Sequence, residues 1–196
     1  SDVCSSDLPV DLTRLPIGTP FVSTEAPAVG ALFACTAGNP NGGGAFRAGP
    51  WIDEAANTWD ATAKVSVEGA VEWPMAKYAE TVIDDIRSIV SSGLPVGHVT
   101  GTFPIAATDP AFAYDRNPNS ISEQDVAYEL PANPTAADSP GCLPPAAVAI
   151  ARNGVVLFAP LDELNRDAVA YETQDEGDGH PQQGGIYHYH DVPVGI

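Results

Sequence analysis

The chain contains four histidines, and three of them, His180, His188 and His190, fall within eleven positions. His188 and His190 are separated by one residue. On an extended strand, side chains two apart leave the same face. Their rings therefore project side by side, at a spacing suited to two adjacent positions on one metal ion. Tyr187 and Tyr189 then point the other way and can anchor the strand in a core. His180 lies on a loop with Gly177, Gly179, Gly184 and Gly185 nearby, and the bends that glycine permits bring its ring back to the same ion. His98, distant in sequence, is the fourth candidate ligand.

Imidazole nitrogen suits zinc, copper, nickel and iron, and copper or zinc is the expected ion. Three histidines with an open position make a Lewis-acid or redox site. Four favour a closed or square-planar one. Glu172, Asp175 and Asp178 are near in sequence and are candidate ligands, or acceptors that orient an imidazole. In a catalytic site, Glu172, Asp175 and Tyr189, with Tyr187, are the candidates for acid, base or hydrogen-bond donor. Zinc would then activate water for hydrolysis, and copper would support redox chemistry. The alternative is a Tyr-His-Tyr-His strand that is purely structural.

Other chemistries lack their residues. The sequence has no GxSxG nucleophile elbow, no phosphate-binding Gly-Lys motif and no dinucleotide fingerprint. Asp84-Asp85 and Asp162-Glu163 read as solvent-facing pairs. The acidic loop 175–178 lacks the alternating oxygen register of a calcium loop.

The elements that must position these residues read as mainly β. Residues 63–73 alternate, with Val65, Val67, Gly69, Val71 and Trp73 on one side, and predict a half-buried strand ended by Pro74. Residues 76–92 fit a helix or two strands joined at Asp84-Asp85, and the neighbouring strands favour the hairpin. Asn153-Gly154 between two apolar runs is a strong hairpin signal. Residues 160–170 read as a short helix or turn, and 186–190 as a strand. Residues 9–50, 108–121 and 131–145 are turn- and proline-rich. The expected fold is a single β-rich domain, sandwich- or barrel-like, with long Pro/Gly-rich loops and at most one or two short helices.

With 196 residues, 44% of them hydrophobic, the chain can build a core. Its net charge of −18, with only eight Lys and Arg, argues against nucleic acid and anionic membranes as partners, since both need basic patches. No apolar run is long enough to span a bilayer. The metal ion is the one partner expected. Residues 1–8 read as a translated sequencing-library adapter and are set apart. Cys4 goes with them, leaving Cys35 and Cys142. Two cysteines so far apart suggest one long-loop disulfide in an oxidising compartment; the alternative is two buried thiols.

The run Ile186-Tyr187-His188-Tyr189-His190 resembles the motif of the YHYH proteins. Gly179-His180-Pro181, Asn153-Gly154-Val155 and the run Arg166-Asp167-Ala168-Val169-Ala170-Tyr171-Glu172 are similar too. More softly, so are Gly93-Leu94-Pro95 with His98, Thr100-Gly101-Thr102-Phe103-Pro104 and Asn117-Pro118-Asn119. The resemblance implies a bacterial protein exported to the periplasm, envelope or medium, with a motif suspected of binding metal; the adapter-like start points to a metagenomic fragment that has lost its signal peptide. Together they divide the chain into an adapter-derived start (1–8), a loop-rich segment (9–50) and a YHYH-type β domain (51–196) truncated at its end. Where relatives carry a cysteine before Gly-His-Pro, this chain has Glu176-Gly177. Three functions follow: metal-binding domain, metalloenzyme at the same site, or metal-free envelope module.

Overall fold

The computed structural model describes residues 10–192; the readings of residues 1–8 and of the chain's last residues lie outside them. In chain order the elements are β1 (Leu15–Pro16), β2 (Val22–Ser23), β3 (Leu32–Phe33), β4 (Ile52–Asp53), β5 (Thr58–Trp59), β6 (Tyr78–Ile83), β7 (Ile86–Ser91), β8 (Val126–Pro131), β9 (Ala147–Ile150) and β10 (Val156–Phe158). The short helix α1 (Ala168–Tyr171) follows, then β11 (Gly179–Pro181) and β12 (Tyr187–Tyr189). The fold is mainly β. Its strands form four small sheets, ordered β1-β5-β4, β2-β3, β6-β7-β8 and β11-β12-β10-β9, rather than a closed barrel.

Residues 76–92 form the hairpin. β6 and β7 pair antiparallel from Tyr78↔Ser91 to Ile83↔Ile86. Asp84 and Asp85 both take positive φ, 48° and 63°. That is the requirement of a tight two-residue turn whose twist matches the strands. β8 adds to the other edge of β7.

Residues 63–73 do not form the regular strand that their alternation predicts. They touch neighbours through single bridges, Val67↔Asp175 and Val71↔Thr100. Gly69 sits between the two at φ 130° and breaks the extended run. The burial reading survives without the ladder. Val67 is buried, Val65, Val71 and Trp73 are partly buried, and Ser66, Glu68, Ala70 and Glu72 are exposed.

Two clusters matter for the site. Ile17, Trp51, Trp59, Ala170 and Tyr171 pack around α1, and the Trp51 indole donates to Ala170 O at 2.9 Å. Asp167 caps α1 by accepting from Ala170 N and also accepts from Gly18 N at 2.7 Å. The N-terminal segment thus clamps a helix too short to persist alone. Val155, Tyr187 and Tyr189 form the second cluster, backed by Ile121, Ala151 and Leu157. Each fully buried tyrosine ring contributes about 2–3 kcal/mol. A disulfide joins Cys35 to Cys142 across 107 residues, beside the parallel bridge Ala34↔Leu143.

Candidate metal centre

β9 and β10 form the Asn153-Gly154 hairpin, with Ile150 opposite Val156 and Gly154 at φ 93°. β12 then pairs parallel to β10, Val156↔His188, and antiparallel to β11, His180↔His188. His180 is therefore on a strand, not on a loop. The bend lies after it, where Gly184 and Gly185 take φ 86° and 80° and Gly185 N bonds back to Gln182 O. Direct pairing puts His180 on the same sheet face as His188, and His190 follows two residues on.

The opposite face holds the tyrosines. A Cβ on Gly179 would lie 2.2 Å from Tyr187 Cζ, so only glycine lets that ring cross the strand. The Tyr187 hydroxyl reaches both carboxylate oxygens of Asp175, at 2.8 and 2.9 Å. Asp175 also accepts from the backbone N–H of Gly101, Gly177 and Gly179. This saturated carboxylate fixes the entry to β11.

On the histidine face, three imidazoles converge, and their ligand atoms lie within 4.8 Å of one another. His190 Nε2 is 3.1 Å from His188 Nε2 and 3.2 Å from His180 Nε2. Glu172, the residue after α1, joins them. Its Oε2 lies 3.3 Å from His190 Nε2 and 3.6 Å from His180 Nε2. All four side chains are buried. Phe158 stacks on His188 with centroids 4.2 Å apart and meets His190 edge-on.

The tautomers follow from the partners. His190 Nδ1 faces Ala159 O at 2.7 Å and His188 Nδ1 faces Ile186 O at 3.2 Å. A carbonyl only accepts, so each Nδ1 carries the hydrogen and each Nε2 lone pair points into the cluster. Lone pairs facing each other at hydrogen-bond distance need a proton or a cation between them. Nδ1 of His180 is buried with no partner among the described residues. Donors bound at about 2.0–2.1 Å in a tetrahedron are roughly 3.3–3.4 Å apart. The 3.1–3.3 Å spacings from His190 Nε2, and the 3.6 Å between His180 Nε2 and Glu172 Oε2, lie near that edge. The residues present therefore fit a metal ion, and His180, His188 and His190 form a group able to hold one.

The titration of the cluster agrees with its burial. Burial, with His190 alongside, pushes His188 down to about 3. Burial and the two neighbouring imidazoles hold His180 well below its ordinary value. Burial raises Glu172, against the hydrogen bond from His190. Burial also lowers His190, but the bond and charge of Glu172 and the Ala159 carbonyl outweigh it, leaving His190 raised.

His98 is not part of the cluster. It lies on the tyrosine side, where its Nε2 accepts from the Tyr189 hydroxyl at 2.7 Å and its Nδ1 donates to Val99 O. Asn153 Nδ2 also donates to Tyr189 Oη at 2.7 Å. Tyr189 and Asp175, candidates for acid or base, are thus engaged on the face away from the imidazoles. Glu172 alone of the three faces them.

Sequence reasoning gave no role to Phe158, Lys64 or Trp51. Lys64 donates to Val169 O and Gln174 Oε1, and burial lowers its ammonium to about 8, with Glu172 among the charges opposing the shift. Together with Trp51 it holds α1, and so Glu172, from below. Their signal in sequence was only that of core residues.

No curated protein and no solved structure matches the chain. The family model described as YHYH protein matches residues 127–196. The upstream likenesses at 93–104 and 117–119 lie outside that match, whereas Glu172, His180, His188 and His190 all lie inside it. Over this stretch the chain carries a YHYH domain.

Proposed function

We propose that this chain is an exported metal-binding domain that holds one copper or zinc ion on Nε2 of His180, His188 and His190, with Glu172 as fourth donor. The observation that carries the reading is the convergence of imidazole Nε2 atoms, two of them with lone-pair tautomers fixed by backbone carbonyls. Such a cluster is costly when empty and favourable around a cation. Three imidazoles and a carboxylate, without thiolate, suit zinc or copper(II).

Holding the ion is favoured over chemistry on it by donor count. Four protein donors fill the sphere of a structural site, whereas catalytic zinc keeps three and leaves one position to water. Asp175 and Tyr189, which an enzyme at this site would draw on, are committed to structural hydrogen bonds. Export is supported by the Cys35–Cys142 disulfide, since such bonds persist in oxidising compartments.

Elemental analysis tests the reading. Protein exposed to copper(II) or zinc and then desalted is expected to retain about one ion per chain. The double replacement of His188 and His190 by alanine abolishes that retention, and Glu172→Gln weakens it about 10- to 100-fold. Wild-type protein that retains neither metal overturns the proposal.

A further inference from the structure

The eight basic side chains of this acidic protein are arranged unevenly. Lys77, Arg87, Arg152 and Arg166 pair with Glu123, Glu80, Glu80 and Asp162. Lys64 is turned onto Val169 O and Gln174, and Arg14 lies beside Asp11. Arg47 and Arg116 differ. Both are exposed, and among the described residues neither has a carboxylate within ion-pair distance, in a chain with 26 Asp and Glu.

Aromatic rings hold them instead. Arg116 Cζ sits 4.4 Å from the Phe46 centroid and 5.2 Å from that of Phe112. Arg47 Cζ sits 5.0 Å from the Tyr114 centroid and 5.9 Å from that of Phe46. The backbone beneath is fixed. Phe46 N bonds to Tyr114 O, Asn117 N bonds to the buried Asp115, and Tyr114 packs edge-on against Trp51 at 4.8 Å. Stacking on a ring orients a guanidinium and leaves its in-plane N–H groups free to donate. Two pre-oriented forks without an internal counter-charge form a surface ready for an external anion, because little ordering entropy is lost on binding.

We propose that Arg47 and Arg116, held over the rings of Phe46, Phe112 and Tyr114, form a binding site for a small ligand bearing an oxyanion, carboxylate or phosphate. A fork of N–H donors matches the paired oxygens of either group. The ligand is small because the net charge of −18 repels a long polyanion, while a compact anion interacts mainly within a screening length of about 10 Å. The site is separate from the histidine cluster and does not depend on metal binding. It is nevertheless close to it in space: a Cβ on Gly44 would lie 2.6 Å from Glu172 Oε1, and Phe46 is two residues further on.

The test is NMR titration of the whole chain with sodium phosphate, with sodium succinate and with polygalacturonate, at low ionic strength. Each titration is repeated after chelator treatment. Saturable shifts are expected at residues 46–47 and 112–116 with phosphate or succinate, unchanged by the chelator. R47Q and R116Q each weaken binding about tenfold, the loss of one charge-assisted contact. R47K with R116K, which keeps the charge and loses the fork, also weakens it severalfold. Linear shifts that never saturate overturn the proposal. So do full binding by the lysine variant and binding of polygalacturonate alone.

Discussion

Acid should destabilise this fold through His188, and the size of the effect follows from its position. The ring is 3% exposed, and burial with His190 beside it holds its pKa near 3 against an ordinary 6.5. In the unfolded chain His188 takes up a proton below about pH 6.5, while in the folded protein it stays neutral. The unfolded state then binds more protons, so stability falls as pH falls between those two values. From pH 7 to pH 5 the loss is about 2 kcal/mol for this residue alone. It changes little if the folded value is 4 rather than 3, because both lie below the window. His180 is shifted in the same direction. The raised His190 and Glu172 act oppositely, so the total slope is not the clean observable. The comparison of wild type with His188→Gln is. Urea unfolding with chelator present, at pH 7, 6 and 5, should show wild type losing about 2 kcal/mol more than the variant over that range. Removing His188 also relieves His180, which adds to the difference with the same sign. Equal pH slopes for the two proteins would refute the buried, neutral assignment.

Gly179→Ala should cost about 3 kcal/mol or more, because the methyl group meets a buried Tyr187 ring that cannot move without leaving Asp175. Gly43→Ala, with open space at that position, should stay within about 0.5 kcal/mol in the same urea measurement. Replacing Cys35 and Cys142 together by serine opens a loop of 107 residues. It should cost about 4–5 kcal/mol by chain entropy while leaving one ion per chain, read by denaturation and elemental analysis in parallel. Trp51→Phe removes the bond to Ala170 O. It should cost about 1–2 kcal/mol and weaken metal retention through Glu172, a change visible in competition with a chromophoric chelator.

The imidazoles were legible because period-two alternation survives any tertiary context. His188 and His190 had to share a face, and Tyr187 and Tyr189 had to take the other. The two hairpins were legible for a similar reason, since Asp84-Asp85 and Asn153-Gly154 are local turn chemistry. Glu172 was visible as one of several nearby acids but not as the member that joins the cluster. That choice depends on α1, which Trp51, Lys64 and Gly18 hold through contacts more than 100 residues apart in sequence. His98 stands apart from the cluster for the converse reason. Its partner is the Tyr189 hydroxyl, and residue type alone does not tell an imidazole that binds a phenol from one that binds a metal. Residues 63–73 alternate as a strand does, but Gly69 and the lack of a continuous neighbour leave only isolated bridges.

β12 occupies an interior place in its sheet, with β11 on one side and β10 on the other, although both precede it along the chain. During synthesis the β9–β10 hairpin therefore waits with one flank of N–H and C=O groups unpaired until residues 187–189 arrive. His188 comes with that same short piece and His190 directly follows it, so the histidine cluster and the sheet are finished in one event. A cation held as proposed would therefore enter only after this last strand is in place.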